Sequence, residues 1–400
     1  MTATRARVRT RDIAVVTYLF LVVMLGTTLP TPLYAFYSRE LDLSPLLVSV
    51  VFAVYAVAVL GTLVLLGRLS DHVGRRPVVL LAVAASAVSS GVFLLVDVHP
   101  SLWLLFLGRL VSGVSAGLAT GAATAYLTEL GRERPHPGRA AVLATVANTG
   151  GLALGSPLAG VLADHVAGPT ATPFWVDLLL LVPALLLVPL RVPETVSDRD
   201  GWRTGLTPQR IGVPSDIRVP FLAAALAALA SFSLTGFGTS LSGQLLLEGL
   251  HDHSHETVGV VAFLLLAAAV AAQTVAGLLP SRRANLLGLA VLPLGLVLLV
   301  ASVLAASLPL LVIAVLVGGA GVGFSFRASL ARVTVIAPPE RRGEVISTYF
   351  FAAYVGLTIP VVLTGTLVTL TSLVTAVVSL AVFIAVLSVV AAAIVVRERS

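Results

Sequence analysis

Among the charged residues inside or at the ends of long apolar runs are Arg109, Glu129 and Asp177. A guanidinium does not give up its proton at any physiological pH, so Arg109 can hold an anion or tune a carboxylate but cannot itself carry a proton. A carboxylate can. Arg109 with Asp177, or with Glu129 as the alternative partner, is therefore the set whose natural chemistry is proton coupling. Blander roles stand beside this one. Arg109 can snorkel to an interface, Asp177 can pair structurally, and Glu129, like Glu344, can bridge to nearby arginines. No nucleophile–histidine–acid set and no glycine-rich nucleotide loop is present, so the chain is not read as an enzyme. Cysteine is absent, which excludes thiolate metal sites and disulfides, and no cofactor or metal is expected. The run His251-Asp252-His253-Ser254-His255-Glu256 could bind a metal or sense pH, against the plainer reading of a solvated loop.

Uncharged polar residues form stripes at helical spacing. Thr27, Thr31 and Tyr34 share a face beside Pro30 and Pro32, whose freed backbone groups suit a cavity wall. Ser231 and Thr235 do the same further on, joined by Asn148, Tyr349 and Tyr354. Small hydroxyls also serve plain helix packing. Taken together, the set describes a substrate cavity with few charges and several aromatics, suited to a neutral or amphipathic organic solute.

The elements that position these residues follow from composition. Hydrophobic residues make up 58% of the 400, charged residues 11%, and mean hydropathy is +1.03. A water-soluble fold could not bury that much apolar surface, whereas a bilayer core takes about 20 apolar residues per helix. Runs of that kind fall at 13–36, 46–67, 76–97, 102–129, 139–163 and 173–190, then at 219–247, 257–279, 284–306, 309–331, 343–367 and 371–396. The stretch 191–218 is polar and carries Pro193, Pro208 and Pro214. The expected fold is an all-α membrane protein of twelve transmembrane helices in two six-helix bundles, 1–190 and 219–400, joined by a cytoplasmic linker.

All 25 basic residues are arginine, and 23 fall on alternate connections belonging to one face. Arg39 alone lies on the other, and Arg109 is inside a helix. Positive residues stay cytoplasmic, so both termini are expected there. The first run, preceded by Arg5, Arg7, Arg9 and Arg11, lacks a small-residue cleavage signature and reads as a retained helix. The net charge of +6 is thereby explained by topology rather than by nucleic acid. Arg139, Thr145 and Pro157 recur as Arg342, Thr348 and Pro360 at a constant offset, the mark of an internal repeat.

The connection after the second run reads Gly67-Arg68-Leu69-Ser70-Asp71-His72-Val73-Gly74-Arg75-Arg76-Pro77. Gly67 permits close helix approach, Gly74 lets the loop reverse, and Asp71 can meet helix N-termini or arginines. The segment resembles the signature loop of the major facilitator superfamily, Gly-x-Leu-x-Asp-x-x-Gly-Arg-Arg, at every fixed position. The resemblance covers essentially the whole chain. It implies two bundles rocking about a central cavity, with Gly67, Asp71, Gly74, Arg75 and Arg76 acting in conformational gating and Arg109 linked to proton coupling. Gly151-x-x-x-Gly155-Ser156-Pro157-Leu158-Ala159-Gly160 is similar to the family's antiport motif, Gly-x-x-x-Gly-Pro-x-x-Gly-Gly. It departs at Ser156, where a proline is expected, and at Ala159.

These readings point to a monomeric secondary transporter of a bacterial cytoplasmic membrane, exchanging small amphipathic organics for protons. A proton-coupled importer of a sugar or similar metabolite is the nearest alternative. A non-transporting sensor or assembly partner is the alternative of another class, and the intact signature loop and Arg109 speak against it.

Overall fold

The computed structural model describes residues 10–132, 138–196, 205, 206, 208 and 210–397. Arg5, Arg7, Arg9, Arg134, Arg199, Arg203 and Arg399 lie outside the described residues. Among the described residues, twelve helices are long and apolar enough to cross a membrane. They are α1 (Thr10–Glu40), α2 (Pro45–Leu66), α3 (Arg75–Val98), α4 (Leu102–Gly131), α5 (Gly138–His165) and α6 (Thr172–Arg191). The second set is α7 (Arg218–Ser240), α8 (His255–Ala276), α9 (Ser281–Leu304), α10 (Leu308–Ile336), α11 (Arg342–Leu370) and α12 (Leu373–Arg397). Each carries one of the apolar runs. One run is cut short: 219–247 leaves regular helix at Ser240 and ends in a π turn over Leu245–Gly249.

Few side chains on these helices separate inside from outside by polarity, because lipid and core are both apolar. What separates them is size. Gly113 and Gly117 press α4 onto α2, where an added Cβ would strike the Tyr55 carbonyl and the side chains of Ala58 and Thr62. Gly319 and Gly323 press α10 onto α8 at Leu265, Ala268, Ala269 and Ala272 in the same way. Without a hydrophobic force between helices in lipid, such close backbone approach supplies the packing energy. Large apolar side chains such as Val57, Leu81, Val88, Leu179, Val297 and Val389 point outward.

α1 to α6 and α7 to α12 pack mainly within their own sets, and the sets meet along two seams, α5 against α8 and α2 against α11. Packing confirms a repeated plan but moves its register. Gly151 sits on the Leu21 carbonyl of α1, and Gly356 sits on the Leu229 carbonyl of α7, about 205 positions later. By that measure Pro360 corresponds to Gly155 rather than to Pro157. The constant offset read from the sequence is two residues short toward this end of the helices.

α1 is two helices in line, Thr10–Thr28 and Pro30–Glu40. Pro30 and Pro32 have no N–H to give the carbonyls of Gly26 and Thr28, so the ladder must break there.

Below, the arginine-rich end of the bundle is called inner and the opposite end outer. That assignment predicts that His253→Cys reacts with a membrane-impermeant maleimide in intact cells, while Leu278→Cys reacts only after permeabilisation. With no native cysteine the labelling has no background. Labelling in the opposite sense would reverse the topology.

Candidate functional site

The broken turn of α1 organises the centre of the first half. Arg109 of α4 is 1% exposed and donates from Nη1 to the Thr27 carbonyl at 2.7 Å. Its guanidinium lies 4.4 Å from the ring centre of Tyr55, 5.6 Å from Phe52 and 5.9 Å from Tyr34. Three ring faces and one carbonyl thus hold the cation out of water, and desolvated cation–π contacts of this kind contribute about 2 kcal/mol or more. The Thr28 carbonyl, orphaned by Pro32, accepts from Ser156 Oγ at 3.2 Å, and Thr28 Oγ1 donates to the Leu152 carbonyl at 2.8 Å. Ser156 occupies the place where the antiport motif has proline. Here that position needs a donor.

Asp177 of α6 touches the same turn from another side. It is fully buried, accepts from Ser90 Oγ of α3 at 2.6 Å, and its second oxygen has no partner. A Cβ on Gly26 would come within 2.9 Å of the carboxylate, so only glycine admits Asp177 at this contact. Residues 26 and 27 therefore meet Asp177 and Arg109 respectively. The acid and the cation are linked through α1 rather than by a direct ion pair.

Glu129 does not belong with Arg109. Twenty residues of helix place it about 30 Å away along α4, at the inner end. There it accepts from Arg75 at 2.9 and 3.2 Å and from Thr195 Oγ1 at 2.5 Å. Arg75 also pairs with Asp71 and donates to Ser70 Oγ at 2.6 Å. Gly74, at φ +117°, makes the reversal that leads into α3. Gly67 ends α2 with φ −59° and ψ −23°, an ordinary helical geometry any residue adopts. Glu194, from the stretch after α6, accepts from the backbone amides of Arg75 at 2.9 Å and Arg76 at 3.1 Å and so caps α3. Arg76 donates in turn to the Pro189 carbonyl. The result is a charged cluster that ties α2, α3, α4 and the end of α6 together. In the second half the corresponding turn before α9 has no acid, and Pro280 precedes α9 with no side-chain cap.

The stripes fare unevenly. Thr27, Thr31 and Tyr34 are buried, Thr27 donating to its own helix at Met24. Ser231 is buried and donates to Ala227, and Thr235 donates to Ser231 while half-buried. Tyr349 is buried against Ser329 at 2.8 Å, so its hydroxyl is spent on packing within the second half. Asn148 and Tyr354 keep partial exposure. Tyr354 stacks edge-on with Phe232 at 5.9 Å, and both pack on the core of the first half. The residues brought together at the centre are therefore Arg109, Tyr55, Phe52, Tyr34, Tyr354 and Phe232. Tyr55, Phe52 and Phe232 were not among the sequence candidates, because an aromatic in an apolar run carries no periodic polar signal.

The seams use the glycines of α5. Gly151 and Gly155 lie on α1, at the Leu21 and Leu25 carbonyls, while Gly160 faces the other way onto α8 at His255 and Glu256. The Pro157 Cα packs beneath Gly259 of α8. Polar ties between the halves concentrate at the outer end: His255 to Asp164 at 2.8 Å, His165 to Glu256 at 2.9 Å and Arg39 to His253 at 3.2 Å. The histidine run is thus part of the seam and not simply a solvated loop. Among the described residues, no group of three or more His, Asp or Glu side chains is arranged to hold a metal.

The profile of the Major Facilitator Superfamily matches residues 16–247. The chain belongs to this superfamily. Its fold and family are those of membrane transporters, not of enzymes. Among curated relatives it is 33% identical over 148 residues to a triacylglyceride transporter of Mycobacteroides abscessus, covering 36% of this chain and 27% of that protein. It is 32% identical over 157 residues to the class B tetracycline resistance protein of Escherichia coli, covering 39% and 37%. The chain thus spans well under half the length of these two relatives. Among solved structures, a bacterial homologue of the lysosomal transporter Spinster in an inward-facing, unoccupied conformation covers 100% of this superfamily member at TM-score 0.75 and 15% identity. The nucleoside transporter NupG covers 96% at TM-score 0.76 and 12% identity.

The charged cluster makes a stability prediction for this transporter. Glu194→Ala removes the acceptor from two backbone amides and should destabilise the first half by about 1–2 kcal/mol. Arg75→Ala leaves Glu129 without its cation and should cost about 3 kcal/mol. Thermal unfolding in detergent reads both. Equal melting temperatures for wild type and Arg75→Ala would show that the cluster is not structural.

Proposed function

We propose that this protein is a secondary active transporter of a bacterial cytoplasmic membrane, working as a monomer by alternating access. In this reading it exports small amphipathic organic compounds in exchange for protons. The two halves, 1–190 and 219–400, rock about the seams, joined by the linker 191–218. The observation that carries the reading is the pair of buried charges on one broken turn of α1: Arg109 on Thr27 and Asp177 on Gly26. The class B tetracycline resistance protein and multidrug resistance protein 1 of Bacillus subtilis, 26% identical over 220 residues, support export.

The mechanism follows from those contacts. Asp177 is the group that takes and releases a proton: Ser90 holds one oxygen, and the other is open to a proton once α1 shifts. Arg109 cannot titrate. Its role is to set the field at the α1 break and to report the position of that turn to α4. Moving Thr27 pulls on Arg109, and moving Arg109 disturbs Tyr55, Phe52 and Tyr34. Substrate binds among Tyr34, Thr31, Asn148, Thr235 and Tyr354, where aromatic faces and single hydroxyls or amides suit a neutral or amphipathic solute. At the inner end, Asp71 has a side chain 50% exposed although it is paired with Arg75. It retains lone pairs for the opposite half when that end closes.

Reconstituted protein in liposomes with an imposed pH gradient, and tetracycline as the first probe, tests the scheme. Arg109→Ala should abolish gradient-driven flux and Asp177→Asn should reduce it less severely, with equilibrium binding of a neutral substrate kept in both. Full gradient-driven flux in Arg109→Ala would remove the coupling role. Asp71→Asn should cut flux several-fold while expression and melting temperature stay near wild type. An unchanged rate together with unchanged inner-end accessibility would remove Asp71 from gating.

A further inference from the structure

The outer end of the α5–α8 seam contains a carboxylate in an unusual employment. Asp164, one turn beyond Gly160 on α5, accepts three hydrogen bonds from the start of α8. The donors are the Glu256 backbone amide at 2.7 Å, His255 Nδ1 at 2.8 Å and Ser254 Oγ at 3.0 Å. Glu256 is the second residue of α8, so its amide is one of the donors an isolated helix start leaves unpaired. Ser254 already serves as the ordinary cap, its Oγ accepting from Thr257 N at 3.1 Å. Asp164 therefore completes the cap of α8 from the other half of the molecule.

The second seam repeats the arrangement. Gly365 of α11 lies on Ser49 and the Pro45 carbonyl at the start of α2, as Gly160 lies on the start of α8. One turn beyond Gly365, Thr369 Oγ1 accepts from the backbone amide of Leu46 at 3.2 Å. Leu46 is the second residue of α2, and Ser44 is its ordinary cap, accepting from Leu47 N at 3.3 Å. Both outer seams thus consist of a glycine that lets the helices touch, then a side chain four residues later that caps the second amide of the facing helix. In one seam that side chain is a carboxylate with three donors. In the other it is a hydroxyl with one.

We propose that Asp164 and Thr369 are the outer latches of the transport cycle, a strong and a weak copy of one trans-capping device that holds the outer end shut. Opening that end strips Asp164 of its donors and returns the α8 amide to water. The charged latch makes the larger contribution, because a carboxylate facing a helix N-terminus is favoured by the helix dipole and by charge-assisted hydrogen bonds. Around it stand His165, His253, Arg39, Asp252 and Glu256. His165 and Glu256 form an exposed pair, of the kind whose effect is small. His255 is stacked on Phe36 at 4.0 Å, which fixes its ring toward Asp164. These are positioning residues, acting on which state the protein occupies.

The inference rests on alternating access, and its test needs no substrate, so it can fail while the export reading stands, and the reverse. Spin labels at Trp103→Cys and Leu304→Cys, both exposed at the outer end, report separation there. A pair at Arg132→Cys and Leu278→Cys reports the inner end. Asp164→Ala should raise the ratio of outer-open to outer-closed protein at least fivefold, with the inner pair drawing together. A protein with loosened packing would broaden both distances instead. Ser254→Ala should act in the same direction more weakly. Thr369→Asp, which gives the weak seam the strong acceptor, should deplete outer-open protein below the wild-type level. Should Asp164→Ala fail to fold, the opposed shifts of Ser254→Ala and Thr369→Asp decide the matter alone. Unchanged outer distances in a folded Asp164→Ala, or in the remaining two variants together, would overturn the proposal.

Discussion

A carbonyl oxygen released within the hydrocarbon layer has to find a donor, since no water is there to supply one. Pro30 and Pro32 release two within one turn of α1, those of Gly26 and Thr28, with the Thr27 carbonyl between them. Much of the first half is arranged around meeting that demand. Arg109 reaches in from α4 to Thr27, Ser156 reaches in from α5 to Thr28, and Thr28 returns a bond to Leu152. Two helices, α4 and α5, are thereby fastened to one turn of α1. The cation brought in for this purpose needs its own shelter, which Tyr55, Phe52 and Tyr34 provide. Asp177 then rests on the one residue of the turn, Gly26, that has no side chain to obstruct it.

The two halves answer the same structural problem with different chemistry. In the first, the inner end is bound by Asp71, Arg75, Glu129, Thr195 and Glu194, a network in which charge neutralises charge and caps a helix. In the second, α9 begins behind a proline and the packing is carried by small residues: Gly288 on Ser325, Gly295 on Gly318, Gly321 on Leu292. A network of ion pairs fixes geometry by direction, whereas glycine-to-backbone contact fixes it by distance and lets helices slide.

How much of this was readable from the chain depends on the kind of force involved. The twelve helices follow from apolar run length alone, which is why the runs and the structure agree, save where α7 turns into π geometry near Leu245. The signature loop follows from spacing, and its Asp71–Arg75 contact is local. Glu129 was harder. Bridging to loop arginines is one of the readings its place at a helix end allows, but nothing in the sequence singles out Arg75, more than fifty residues earlier, as the arginine it meets. Helix rise alone separates Glu129 from Arg109, and that arithmetic was available. Glu194, Tyr55 and Asp164 were invisible for a different reason. Each owes its role to contacts across the bundle, and a lone acid in a polar stretch or an aromatic in an apolar one has no pattern to reveal it. The repeat was seen, but two residues out of register. Matching residue types misled where matching contacts did not.

Each seam between the halves includes one main-chain amide as a donor. The Leu46 and Glu256 amides exist whatever side chain stands at those positions. A change of side chain at Leu46 or Glu256 therefore leaves that amide contact in place, proline excepted, whereas Ser254 and His255 meet Asp164 through their side chains. Constraint falls instead on the acceptor side, at Asp164 and Thr369, and on the glycines one turn before them.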